Sequence, residues 1–174
     1  MGQTLLGNCI MGTRSAIGVV TGDGSIRAAY CHYDGYLDGV GKTLLENYKD
    51  FDSVMDLVGF GDMSSLGTSI GEKHDFDRIN VSTEEKERTK DWCMFYNRDR
   101  GEKDVSFGTF ENEDEFYDHY IGCGCEYLYL FKSDIDEAWY YNTGRWSSDW
   151  KLLDADLATR LADGCPGVSA DMLP

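Results

Sequence analysis

Two stretches of this chain restrict its fold more than any other feature. SAIGVV (15–20) and SIRAAYCHY (25–33) flank Thr21-Gly22-Asp23-Gly24, and EYLYLFK (126–132) and EAWYYN (137–142) flank SDID. Each run is short and rich in β-branched or aromatic residues, and the first connector carries residues that tolerate positive φ, which is the signature of a β-hairpin. The spacing predicts one hairpin pairing 13–21 with 25–33 and a second pairing 126–132 with 137–142. RWSSDWKL (145–152) extends the second by a third strand across the Asn142-Thr143-Gly144 turn.

The apolar faces of two hairpins need cover, and the intervening sequence supplies helices. Leu44, Leu45, Tyr48, Phe51, Met55 and Val58 recur at helical steps, which reads as one bent helix or, with Asp50 or Asp52 capping a break, as two short ones. Residues 59–75 are rich in Gly and Ser and read as a long irregular loop. STEEKERTKD (82–91) reads as a short solvated helix capped at Ser82 or Thr83 or as a mobile loop, WCMFYN (92–97) as a strand ending in a charged turn, and 105–110 as a further strand or an extended lead-in. Asn112-Glu113-Asp114-Glu115 has the form of a capping box ahead of a helix over 113–121, and LLDADLATRLADG (152–164) reads as a final helix stopped at Gly164. Hairpins interleaved with helices, without regular βαβ alternation, predict an α+β fold: one domain with an antiparallel sheet built from hairpins and a few short helices packed on it. With 174 residues, 41% of them apolar, the chain suits a single core. Residues 11–174 form that domain, and 1–10, ahead of a second methionine, read as an N-terminal extension.

Several function classes have little support. No run approaches eighteen apolar residues and no signal-peptide pattern opens the chain, so the expectation is a cytoplasmic protein without membrane contact. The six cysteines are scattered through apolar stretches, as expected for reduced thiols. Cys123-Gly-Cys125 with His119 is the one local group of soft ligands, but a CxC is shorter than the usual zinc chelate, and core thiols are the preferred reading. Gly41-Lys42-Thr43 resembles the end of a phosphate loop, yet the glycine needed five positions before the GK pair is replaced by Tyr36. No hydrolase, zinc-protease or kinase signature occurs. The expectation is therefore a non-enzymatic protein with no catalytic residue, metal or cofactor assigned.

Charge points elsewhere. The chain carries 16 basic and 32 acidic side chains for a net −16, and the second half is the more acidic: residues 1–103 hold 12 basic and 17 acidic groups, residues 104–174 hold 4 and 15. Such a surface repels nucleic acid and anionic lipid and attracts basic proteins, so no direct nucleic-acid binding is expected. Asp114, Glu115 and Asp118 share one helical face, with Glu111 and Glu113 beside them and Asp134, Asp136 and Glu137 in the second hairpin; together they are the candidate partner-binding residues. A row of carboxylates resembles the anionic outline of a nucleic-acid backbone. The plainer alternative is a solvated surface. A second candidate gathers Arg14, His32, Asp34, Lys42, Arg98 and Arg100 at strand ends as a ligand site for a nucleotide-like anion, on a small-molecule binder or hydrolase. Its plainer alternative is that the arginines pair with neighbouring aspartates.

MGTRSAIGV, YCHYDGYLDGVGKTLLENY, GDMSSLG and FYNRDRGE resemble a family of small uncharacterised bacteriophage and prophage proteins that begin MGTRS and carry a YCHxDGY segment. The resemblance covers roughly residues 11–102 and implies a genetic setting without an activity. The combined expectation is a phage-encoded binding protein in the host bacterial cytoplasm. Its acidic surface would inhibit or decoy a host nucleic-acid-handling or defence protein that presents a basic surface, as a DNA mimic. Homo-oligomerisation is left open.

Overall fold

The computed structural model of the protein describes residues 12–134, 137–143 and 150–154. Strands β1 (Ser15–Val20) and β2 (Ile26–Cys31) form the first hairpin, with Ser15 opposite Cys31 and Val20 opposite Ile26. Strands β6 (Tyr127–Lys132) and β7 (Ala138–Asn142) form the second, and β8 (Lys151–Leu152) pairs antiparallel with β7. The outer edge of β2 is shared between two short strands. β3 (Met63–Ser65) meets it at Cys31 and β5 (Gly108–Phe110) at Ile26–Ala28, while β4 (Met94–Phe95) lies outside β3. Between these two partners the Asp62 carboxylate accepts the Tyr30 N–H at 3.0 Å, which satisfies a ladder donor that neither strand reaches.

Strand parity divides the core in two. Ile17, Val19, Ala29, Cys31, Tyr129, Phe131, Trp139 and Tyr141 pack on one face against helices α1 (Lys42–Asn47) and α2 (Phe51–Gly59), through Leu44, Val54, Leu57 and Val58. Ala16, Ile26, Ala28, Leu128 and Leu130 line the other face beneath Phe116 and Tyr120 of the helix over Glu113–Gly122. Both faces of the central strands are thus buried, which is why SAIGVV and YLYLF read as continuous apolar runs rather than as alternation. Helix α2 starts at an Asp50 cap, whose side chain accepts the Ser53 N–H at 2.8 Å; the predicted break between two helical segments lies here. Helix α3 (Thr83–Thr89) is capped by Ser82, helix α4 spans Tyr96–Arg100, and helix α5 is the Glu113–Gly122 segment.

The fold is α+β in content, but the sheet is mixed rather than antiparallel. β1 runs parallel to β6, with Ser15 beside Tyr127 and Val19 beside Phe131, and β2 runs parallel to β3. Each hairpin was legible from local pattern, whereas the way two hairpins join depends on contacts more than a hundred residues apart. Two smaller expectations also fail. The strand over 92–97 shrinks to Met94–Phe95, because Asp99 accepts the Phe95 N–H at 2.8 Å and turns the chain into α4. The irregular loop over 59–75 contains β3. The N-terminal extension 1–10 and most of the predicted final helix lie outside the described residues.

Candidate functional site

Because β1 and β6 are parallel and in register, the β1–β2 and β6–β7 connections fall at the same end of the sheet. Helix α5 begins there too: Asn112, Glu113 and Asp114 line a shallow hollow with Val20, Gly24 and Ile26. Asn112 caps the helix by accepting the Glu115 N–H at 2.9 Å, while the Glu115 carboxylate accepts the N–H of Glu111 rather than that of the cap residue. Phe116 and Tyr120 turn inward, so Asp114, Glu115 and Asp118 face solvent. Asp134 and Glu137 flank the β6–β7 connection and are exposed; Asp136 lies outside the described residues. Glu113 pairs with Lys132 at 2.8 Å, which ties the first turn of α5 to the end of β6.

Three further carboxylates occupy this end. Asp23 sits in the β1–β2 turn, where hydrogen bonds from the Thr21 and then the Ser25 hydroxyl, each 2.7 Å, hold its carboxyl far below the usual carboxylate range. Asp50 and Asp52 open α2, and Phe51 between them shares a hollow with Gly22, Ser133 and Asp134. Sequence reasoning passed over all three, since they lie in the less acidic half and only the parallel β1–β6 pairing brings them near residue 134. The cap positions of Asp50 and the turn position of Asp23 were visible; their shared location was not.

The opposite end holds the cationic candidates, and the structure does not gather all of them. Arg98 is consumed structurally: its guanidinium donates to the carbonyls of Ile70, Gly71 and Cys93 and to both oxygens of Asp99, and it stacks on Phe95 at 4.7 Å. The buried Asp99 also accepts the N–H groups of His74 and Phe95. Arg100 pairs with Glu102 and stacks on Phe76 and Tyr96. Lys42 is exposed at the start of α1, and Asp34, at φ 58°, accepts a hydrogen bond from the Tyr36 hydroxyl at 2.9 Å.

Arg14 and His32 do come together. One step beyond the Ser15–Cys31 pair the ladder sets them opposite each other, on the same face as Tyr30. The Tyr30 hydroxyl lies 2.8 Å from His32 Nδ1. Burial, and then the charge of Arg14, lower the His32 imidazole from its ordinary value, so it is neutral at pH 7; burial pushes the Tyr30 phenol up to about 12. The segment around Arg14 and the segment from His32 to Gly35 therefore meet here. The Gly35 N–H donates to Thr13 O at 2.8 Å, and a Cβ on Gly35 would stand 2.6 Å from that oxygen.

The GKT segment is not a phosphate cradle. Leu37–Gly41 form a single π turn in which the N–H groups of Gly39, Val40 and Gly41 all bond back to Tyr36 or Asp34, and the Tyr129 ring lies against Gly41. None of those three N–H groups is free to curl around a phosphate. Cys123 Sγ lies 3.8 Å from His119 Nε2 and Cys125 is buried, but among the described residues no three His, Cys, Asp or Glu side chains are arranged to hold a metal ion. Also among the described residues, no helix is long and apolar enough to cross a membrane. Comparison with protein-family models, curated proteins and solved structures gave no match.

Proposed function

We propose that the protein is a phage-encoded, non-enzymatic binding protein whose acidic turn end engages a basic groove on a host nucleic-acid-handling or defence protein, in the manner of a DNA mimic. The observation that carries this reading is the state of the carboxylates. Of the seven described candidates only Glu113 is in an ion pair with a described residue, and α5, the β1–β2 turn, the β6–β7 turn and the start of α2 bring their acids to one end of the sheet. Carboxylates without cationic partners project their field into solvent, where it steers and orients a positively charged surface. The cations near this end are fewer than the acids: Lys132 pairs with Glu113, Arg27 lies over the Phe107 ring, and Lys49 lines a hollow with Glu137.

Exposed charges are screened over about 8–10 Å at physiological ionic strength, so capture of the partner should weaken steeply with added salt. The test uses the protein as bait in a host lysate, at low and high salt, with duplex DNA as competitor. A partner released both by salt and by DNA, and lost by a bait carrying Asp114→Asn, Glu115→Gln, Asp118→Asn and Asp134→Asn, supports the reading. Capture that survives high salt, or that ignores the four substitutions, overturns it.

A further inference from the structure

We propose that Arg14, Tyr30 and His32 form a subsite for a small phosphate-bearing ligand at the open ends of β1 and β2, separate from the acidic end. Arg14 and His32 are opposed across the ladder, Tyr30 is the diagonal neighbour on the same face, and the 2.8 Å contact between the phenol and Nδ1 fixes the imidazole ring. When Nδ1 accepts the phenol proton, the neutral ring carries its own proton on Nε2, which has no hydrogen-bond partner among the described residues. A guanidinium and an imidazole N–H side by side are donors suited to the oxygens of a phosphate.

The guanidinium has no other employment. Arg98 and Arg100 are engaged by carbonyls and carboxylates, whereas Arg14 makes no ion pair or side-chain hydrogen bond among the described residues. It could have served to cap the C-terminus of α5, which ends beside it, but the carbonyls of His119, Tyr120 and Ile121 already accept backbone N–H groups. Cys123 N–H donates to His119 O, Gly124 N–H to Ile121 O and Cys125 N–H to Tyr120 O. Gly124 instead makes room for the arginine. It sits at φ 88°, and a Cβ there would stand 2.9 Å from Arg14 Nη1, so the guanidinium lies directly on the backbone. Tyr33 adds a second recognition element, since its exposed ring meets His32 edge-to-face at 4.5 Å and offers a surface for a planar group carried by the ligand. The ligand class is therefore a phosphate monoester attached to a flat ring, as in a nucleoside monophosphate. Distant exposed acids are screened, so the groups that oppose an anion here are the near ones, Asp62 at the Tyr30 N–H and Glu126, whose N–H donates to Arg14 O.

The test is titration of the full chain with adenosine monophosphate, inorganic phosphate and adenosine, read by calorimetry and by the His32 imidazole resonances. Both phosphate probes should shift those resonances, with adenosine monophosphate the tighter and adenosine alone inactive. Arg14→Gln, at an exposed position whose loss leaves the fold intact by circular dichroism, should weaken both phosphate probes about tenfold or more. Tyr33→Ala should weaken adenosine monophosphate while leaving inorganic phosphate unchanged. Silent His32 resonances at about 10 mM phosphate probe, which corresponds to a binding free energy too small for a specific site, would overturn the assignment. So would an equal response from the Arg14→Gln variant. The four-carboxylate variant of the acidic end should bind these probes as the parent does, so failure here and failure of the partner-binding reading remain distinguishable.

Discussion

The two ends of the sheet use charge in opposite ways. At the turn end, Asp114, Glu115, Asp118, Asp134 and Glu137 project outward without cationic partners among the described residues, and their contacts are local, such as the bond from Glu111 N–H to Glu115. At the open end, Arg98 and Asp99 turn inward and hold the loop over residues 66–74 to α4 through a closed set of hydrogen bonds. Formal charge does not distinguish the two situations. What distinguishes them is the supply of backbone partners. Arg98 is surrounded by carbonyls that no strand or helix uses, so burying it satisfies them, whereas the acids of α5 lie on a helix face whose backbone is already bonded.

The largest effect should come from breaking the inward-turned set. Asp99→Ala leaves the guanidinium of Arg98 buried without its counter-charge and orphans the His74 and Phe95 N–H groups, a loss on the order of 3–5 kcal/mol in denaturant unfolding. Asp134→Asn at the other end should change stability by less than about 0.5 kcal/mol. Similar values for the two substitutions would abolish the contrast between the ends.

Asp62 is intermediate, because its carboxylate is partly buried yet substitutes for a strand. Burial raises its pKa above 3.8, against the opposing pull of the Tyr30 N–H and of His119, while Glu102 adds to the rise. A raised folded-state value means that the contribution is fully present below pH 3.8 and is lost as pH rises through the folded value. Asp62→Asn keeps an oxygen for Tyr30 N–H and should be more stable than the parent at pH 7, with the advantage vanishing in acid. Asp62→Leu removes the acceptor and should cost about 1–3 kcal/mol in acid and less at pH 7, where the parent also bears its buried charge. Thermal melts of the two variants across pH 3 to 7 would check the sign; an Asn variant that is less stable at neutral pH would show that the charge itself holds the β2 edge.

What could be read from sequence follows the range of the interactions. The two hairpins and the helix starts depend on residues a few positions apart and form where read, with Asp50 rather than Asp52 and Ser82 rather than Thr83 as the caps, and with Asn112 capping α5 without the return bond from Glu115. The parallel pairing of β1 with β6 needs registry between residues 15 and 127, and no local pattern encodes it. The candidate sites divide the same way. The outward face of α5 follows from helical spacing alone, whereas the addition of Asp23, Asp50 and Asp52 to the acidic end, and the loss of Arg98 from the cationic one, both follow from long-range contacts. Arg14 and His32 fall between these cases, because the hairpin register that opposes them was already legible in the positions of the β1–β2 turn.

A cap and an ion pair at the start of α5 give the smallest effects and the finest test of the contrast. Asn112→Ala removes the acceptor for Glu115 N–H and should cost about 1 kcal/mol. Lys132→Met breaks the one ion pair among the described candidate acids, but both partners are partly solvated, with side-chain exposures of 24% and 39%, so the loss should stay below about 1 kcal/mol. The same substitution releases Glu113 to solvent and removes a positive charge from the acidic end. If that end binds a basic partner through its field, Lys132→Met should tighten capture at low salt while slightly weakening the fold. Opposite signs for affinity and stability at one residue are what an outward-directed field requires, and a variant that loses both together would mean that the partner reads the Glu113–Lys132 pair as a shape rather than as charge.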